Sequence, residues 1–185
     1  APRQGVLGLR DRAIFETLYS TGLRRAELCA LDLYDVDPAN ELVRVRRGKG
    51  GRDRVVPIGS WALIAIRLYL RESRPQLAVK PKEPALFVAA ITHRRLGIKT
   101  LNLIVRKHAA AAGIEKRVTP HVLRHTCATH LLQGGADIRY VQAILGHASV
   151  ATTQIYTRVA IEDLVAVHRQ HHPRWRMKIE GHDRP

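Results

Sequence analysis

Cysteine is nearly absent. Only Cys29 and Cys127 occur in 185 residues, each inside an apolar, helix-patterned segment and with no CxxC spacing. That excludes a disulfide-stapled scaffold, is compatible with the reducing cytoplasm, and reads both thiols as small core residues. Long apolar runs are missing too: Trp61 to Ile66 and Ala85 to Ile91 are cut by Arg67 and Thr92, far short of a bilayer span. The first residues, Ala1-Pro2-Arg3-Gln4-Gly5, lack an initiator Met and the apolar core and cleavage site of a secretory signal, which leads us to expect a piece of a longer protein. Acidic residues are scarce, 16 against 31 Lys plus Arg, leaving a formal charge of +15. Such an excess of cations suits a polyanionic partner, nucleic acid before an anionic membrane surface. With 45% hydrophobic residues the chain has enough apolar material for one core, which excludes disorder of the whole.

Periodicity supplies the elements. Leu9, Ala13, Ile14 and Leu18 recur at helical spacing between Leu7 and Tyr19; Ser20-Thr21-Gly22 interrupts, and a second helix starts near Leu23 with Arg24 at its head. The period then changes: Leu42, Val43 and Val45, and then Val55, Val56 and Ile58, flank Gly48-Lys49-Gly50-Gly51, a pattern of two strands joined by a glycine-rich hairpin. A third short strand is expected over Leu33 to Val36. Arg44 and Arg46 would face one way and Val43 and Val45 the other. Helices resume at Ser60 to Ser73 and at Lys99 to Ala112, which Gly113 closes; Arg74 to Pro84, with three prolines, reads as an exposed connection within the domain. Thr119 is the expected N-cap of a helix with Pro120 in its first turn, stopped by Gly134-Gly135; Asp137 caps the next, Ile138 to Leu145, ended by Gly146. A short helix over Thr152 to Tyr156 and a last one over Ile161 to His168 follow. The fold class expected is α+β, mainly helical with a small three-stranded antiparallel sheet, in a single domain over residues 1–185 with a C-terminal helix and tail from about residue 160.

His121 and Arg124 stand i and i+3 in the first turns of a helix, where free backbone donors also favour an anion. By itself the pair reads more readily as a helix cap and a surface ion pair. His121 and His125 have the i, i+4 spacing of a shared metal. However, Val122 stands where a zinc helix carries glutamate, and Arg124 puts a fixed positive charge beside the cation; no metal is expected. His168, His171 and His172 offer no matching spacing and are expected at the surface.

Taken together, the boxes Thr21-Gly22-Leu23-Arg24-Arg25-Ala26-Glu27-Leu28, Gly48-Lys49-Gly50, Thr119-Pro120-His121-Val122-Leu123-Arg124-His125, Leu145-Gly146-His147 and Thr152-Thr153-Gln154-Ile155-Tyr156 resemble the tyrosine site-specific recombinases, most closely the Xer-type enzymes and phage integrases. The boxes occur in family order. The resemblance implies a recombinase catalytic-domain fold and cleavage and rejoining of DNA through a 3′-phosphotyrosyl intermediate, with no metal or nucleotide cofactor. It assigns Tyr156 as nucleophile, Arg24 and Arg124 as phosphate clamps, His147 as a third donor, Lys49 as acid to the leaving oxygen, His121 as proton acceptor and Glu27 as support. Arg25, Arg44, Arg46, Arg47 and Arg52 are the expected DNA-backbone contacts. Guanidiniums suit the clamp because they hold phosphate oxygens through paired hydrogen bonds without losing charge.

The partners implied are double-stranded DNA and further protomers, two to four in the synapse, in a bacterial or archaeal cytoplasm near the nucleoid and away from membranes. The family's N-terminal DNA-clamping domain is expected to lie outside these residues. The segment from Ala160 to Arg176 resembles the one such enzymes pass to a neighbouring protomer. Two rival readings stay open at this point: a type IB topoisomerase-like enzyme, and a catalytically silent DNA-binding module.

Overall fold

The computed structural model describes residues 5–46, 53–79, 82–146 and 158–177. Helix α1 (Val6–Thr21) runs through the centre, burying Ala13, Ile14 and Leu18, and ends at Gly22; α2 (Arg25–Ala30) follows directly. Three short antiparallel strands, β1 (Val36–Asp37), β2 (Leu42–Val45) and β3 (Arg54–Pro57), lie in the order β1-β2-β3. The register pairs Val36 with Val43 and Val43 with Val56, which stacks the β-branched residues on the face turned to α1. Val43, Val45 and Val56 are accordingly buried while Arg44 stays exposed.

The segment expected as a strand over Leu33 to Val36 instead forms a tight 3₁₀ turn, Leu33–Asp35, with pairing only from Val36. The cause is local. The Asp35 carboxylate accepts from the Asp32 backbone N–H at 2.8 Å while the Asp35 N–H donates to the Asp32 carbonyl at 3.1 Å, and such side-chain-to-backbone bonds compete with a ladder. The expected Ser60–Ser73 helix is present as α3 (Ser60–Leu68) and a π turn over Tyr69–Ser73, but helical structure continues into α4 (Arg74–Leu77). The connection read as exposed is therefore anchored at its start: Leu77 is buried, and the Arg74 guanidinium donates to the carbonyls of Glu83 and Ala85 at 2.6 and 2.7 Å.

Helix α5 (Ile98–Ala111) completes this first apolar cluster through Leu101, Ile104 and Val105. The second cluster is built from α6 (Pro120–Gln133), α7 (Ile138–Leu145) and α8 (Arg158–His171), which share Cys127, Leu131, Ile144 and Leu164. Caps fall where the sequence puts them: the Thr119 hydroxyl accepts from the Val122 N–H, and the Asp137 carboxylate from the Arg139 N–H. The mainly helical α+β class with its three-stranded antiparallel sheet is the one expected.

The C-terminal segment packs on its own chain. Leu164 is buried against α6 and α7, and α9 (Pro173–Arg176) lies on α3, so in this structure the residues expected to pass to a neighbour are docked in cis. His168 and His172, expected at the surface, are also buried. His168 donates from Nε2 to the Ser20 carbonyl at 2.7 Å and accepts at Nδ1 from the Trp175 indole at 2.9 Å; His172 Nε2 donates to the Tyr19 carbonyl at 3.2 Å. The two rings satisfy carbonyls at the open C-terminal end of α1, where a helix has no partners of its own.

Candidate active site

A cavity of about 660 Å³ opens between α2, α5 and the start of α6. Two arginines 100 residues apart in the sequence meet there: Arg24, at the N-cap of α2, and Arg124, one turn into α6. Arg124 is buried, its guanidinium donating to the carbonyls of Gly22 at 2.6 Å and Leu145 at 2.7 Å. Burial first, and then the charge of Arg24, push its pKa down to about 10, which leaves it cationic at neutral pH. The bonds hold the side chain in place without cancelling its charge.

Glu27 organises the other arginine. Its carboxylate accepts from the Arg24 backbone N–H at 2.8 Å and from Arg24 Nη1 at 2.9 Å, and Arg24 Nη2 reaches the Gly146 carbonyl at 3.2 Å. Glu27 also receives both Nη groups of Arg54, at 2.8 and 2.9 Å. Burial pushes the Glu27 carboxyl up, but the hydrogen bonds from Arg54 and from the Arg24 N–H outweigh it and hold the group below its ordinary range. Glu27, expected as support, is thus in direct contact with Arg24.

His121 is exposed on the first turn of α6 and lines the same cavity, as does Arg25. The i, i+3 spacing puts His121 and Arg124 on one side of α6. Among the described residues that line it there is no Asp or Glu, so the arrangement favours an anion. Arg44 lies exposed on β2, outside this lining. Arg46, expected as a backbone contact, is bound by the carboxylates of Asp32 at 2.5 Å and Asp35 at 2.7 Å. Arg95 also holds Asp32, and although burial acts against it, these bonds depress the Asp32 carboxyl to about 2. Lys49, His147 and Tyr156 lie outside the described residues, as do Arg47, Arg52 and the expected helix over Thr152 to Tyr156.

Sequence reasoning missed Arg54. The available signal was the strand period: residues 54, 56 and 58 share a face, and Val56 and Ile58 are both fully buried, so an arginine in that row needs a buried partner. It also missed Asn102, Arg106 and Arg117, which line the cavity beside the two central arginines.

With this geometry in hand, comparison with known proteins is decisive: the sequence matches the phage integrase family over residues 1–163. The chain belongs to the phage integrase family. It is 51% identical over 166 residues to a tyrosine recombinase XerC 2 of Ralstonia nicotianae, covering 90% of this chain and 47% of that protein. A XerC of a Mycobacterium species is 49% identical over 168 residues, 91% of this chain and 55% of its own. Among solved structures, the XerA recombinase superposes with a TM-score of 0.68 at 41% identity, covering 87% of this chain and 59% of that one. The XerH recombinase bound to its difH substrate superposes with a TM-score of 0.66 at 28% identity, covering 88% and 47%. This integrase-family chain thus has the tyrosine recombinase catalytic-domain fold and spans about half the length of the curated relatives it matches. Among the described residues no helix is long and apolar enough to cross a membrane.

Proposed function

We propose that this chain is the catalytic part of a site-specific tyrosine recombinase that cuts and rejoins double-stranded DNA. The carrying observation is the meeting of Arg24 and Arg124 at one cavity whose described lining residues include no Asp or Glu, the first held by Glu27 from outside that lining and the second by backbone carbonyls. Two such guanidiniums can bind both non-bridging oxygens of a phosphodiester and offset the charge that builds on them as phosphorus is attacked. Because both are positioned before substrate arrives, little reorganisation remains for the reaction itself.

In this reading the Tyr156 oxygen attacks phosphorus, giving its proton to His121, and a tyrosyl O–P bond forms on the 3′ side. The bond from phosphorus to the 5′ oxygen breaks, and Lys49 protonates that oxygen as it leaves. His147 donates a further hydrogen bond to the phosphate. The energy of the phosphodiester is kept in the tyrosyl ester, so a second 5′ hydroxyl can reverse the step and seal a new junction with no nucleotide consumed. The DNA-clamping domain belongs, in this reading, to the rest of a longer protein, which acts as two to four protomers on DNA in the cytoplasm. XerH bound to difH, among the relatives, supports DNA as the substrate.

The test uses the longer protein and a nicked duplex carrying its own site, so that the cut end diffuses away. A denaturing gel is expected to show protein joined to a 3′ end, and Tyr156→Phe to abolish the band. An adduct undiminished in Tyr156→Phe would overturn the reading. Exchange between two sites, rather than relaxation of supercoils alone, separates a recombinase from a nicking and resealing enzyme.

A further inference from the structure

The cavity is larger than one phosphate group requires, and of the five arginines that line it two are held in place and three, Arg25 among them, are not. Arg24 and Arg124 are held by Glu27 and by backbone carbonyls. Arg106 and Arg117 also line it, are exposed, and have no ion pair or hydrogen bond among the described residues. Other arginines are neutralised: Arg46 and Arg95 by Asp32, Arg54 by Glu27, Arg174 by Glu16. Asn102 lies one turn before Arg106 on α5, so their side chains share a face of that helix, and both reach the same lining. Arg117 enters from the loop that leads to the Thr119 cap of α6.

We infer that Asn102, Arg106 and Arg117 form a second anion seat, which takes a neighbouring phosphate of the same DNA strand while Arg24 and Arg124 hold the phosphate that reacts. This rests on the recombinase reading and adds to it the residues that would fix the register of the strand. The chemistry fits a phosphodiester: two free guanidiniums supply charge and paired donors, and the Asn102 amide supplies a donor that adds no charge. A nucleic acid strand is a row of evenly spaced anions, so a second seat beside the first sets which linkage falls between the central arginines. Contacts of this kind position the strand and read no base.

The test is equilibrium binding of the full 185-residue chain to a fluorescent duplex over a series of salt concentrations, with two unrelated duplex sequences. The double variant Arg106→Gln/Arg117→Gln is compared with the parent and with Arg67→Gln, an exposed arginine of α3 outside the cavity. Loss of one phosphate contact makes the slope of log K against log salt shallower by about 0.9. The double variant is expected to show that change, with a similar loss of affinity on both duplexes and an unchanged melting temperature, while Arg67→Gln follows the parent. A double variant with the parent's slope, or an Arg67→Gln loss of equal size, would overturn the second seat and leave the recombinase reading standing. Absence of DNA binding by the parent chain would count against both.

Discussion

Arg54 and Glu27 form a buried fork-on-fork pair, both Nη groups of the arginine meeting both oxygens of the carboxylate at 2.8 and 2.9 Å. Both side chains are more than nine-tenths buried. The same carboxylate holds Arg24, so one acidic group on α2 ties the sheet to a cavity arginine.

Removing Glu27 leaves the Arg54 charge unpaired in a place water does not reach, whereas removing Arg54 leaves Glu27 with Arg24 alone. Glu27→Ala is expected to cost about 3–5 kcal/mol of stability and Arg54→Ala less, both measurable by chemical denaturation. Arg54→Lys is expected to recover only part of the loss, since an ammonium cannot meet both carboxylate oxygens in the fork geometry.

Gly146 ends α7 with φ of 65°, and a Cβ there would stand 2.7 Å from Arg54 Nε. Gly146→Ala therefore adds a clash to backbone strain. Gly113 has φ of 69° with nothing within 4 Å of such a Cβ, so Gly113→Ala carries the strain alone, about 1–2 kcal/mol. Thermal melts are expected to show the larger loss for Gly146→Ala.

The histidines that hold the end of α1 make stability depend on pH. Burial, and then the neighbouring His172, push His168 down to about 3, and burial pushes His172 down to about 4. Their folded pKa values lie below the unfolded value of about 6.5, so the unfolded chain takes up protons first. Stability is complete above about pH 6.5 and declines as pH falls toward 4 and then 3. Asp32, depressed to about 2, and Glu27, also lowered, add losses in the same direction only below their ordinary carboxyl range. A denaturation series between pH 7 and 5 is expected to show the decline, and His168→Gln to flatten it.

Both thiols are expected to be unreactive in the folded chain. Burial pushes Cys29 up to about 11 and Cys127 up to about 12, the latter against the charge of Arg124. Because the thiolate is the reacting form, mass spectrometry after alkylation at neutral pH is expected to find no label on the native protein and two labels in denaturant.

Much of this was legible along the chain. Thr119 and Pro120 start α6, Asp137 caps α7 and Gly146 stops it, because capping is decided by atoms within four residues of one another. Arg24 and Arg124 could be singled out through the motifs around them. Arg46 shows the limit: its alternation with Val45 points it away from the core, but whether it is free for DNA depends on Asp32 and Asp35, which the turn at Leu33–Asp35 brings to it. Arg106 and Arg117 belong to no box, and only the packing of α5 against α2 and α6 puts them beside Arg24.

By itself the sequence determined most of the helices, the pairing of β2 with β3, the caps of α6 and α7, the basic balance and the kinship, since each is set by neighbours in the chain or by composition. Tertiary structure alone decided that Glu27 serves two arginines, that Arg124 keeps its charge among carbonyls, and that His168 and His172 close the end of α1. Those facts arise from groups far apart in sequence, and burial, by removing water, makes the partner of each charge or ring nitrogen matter far more than it would at the surface.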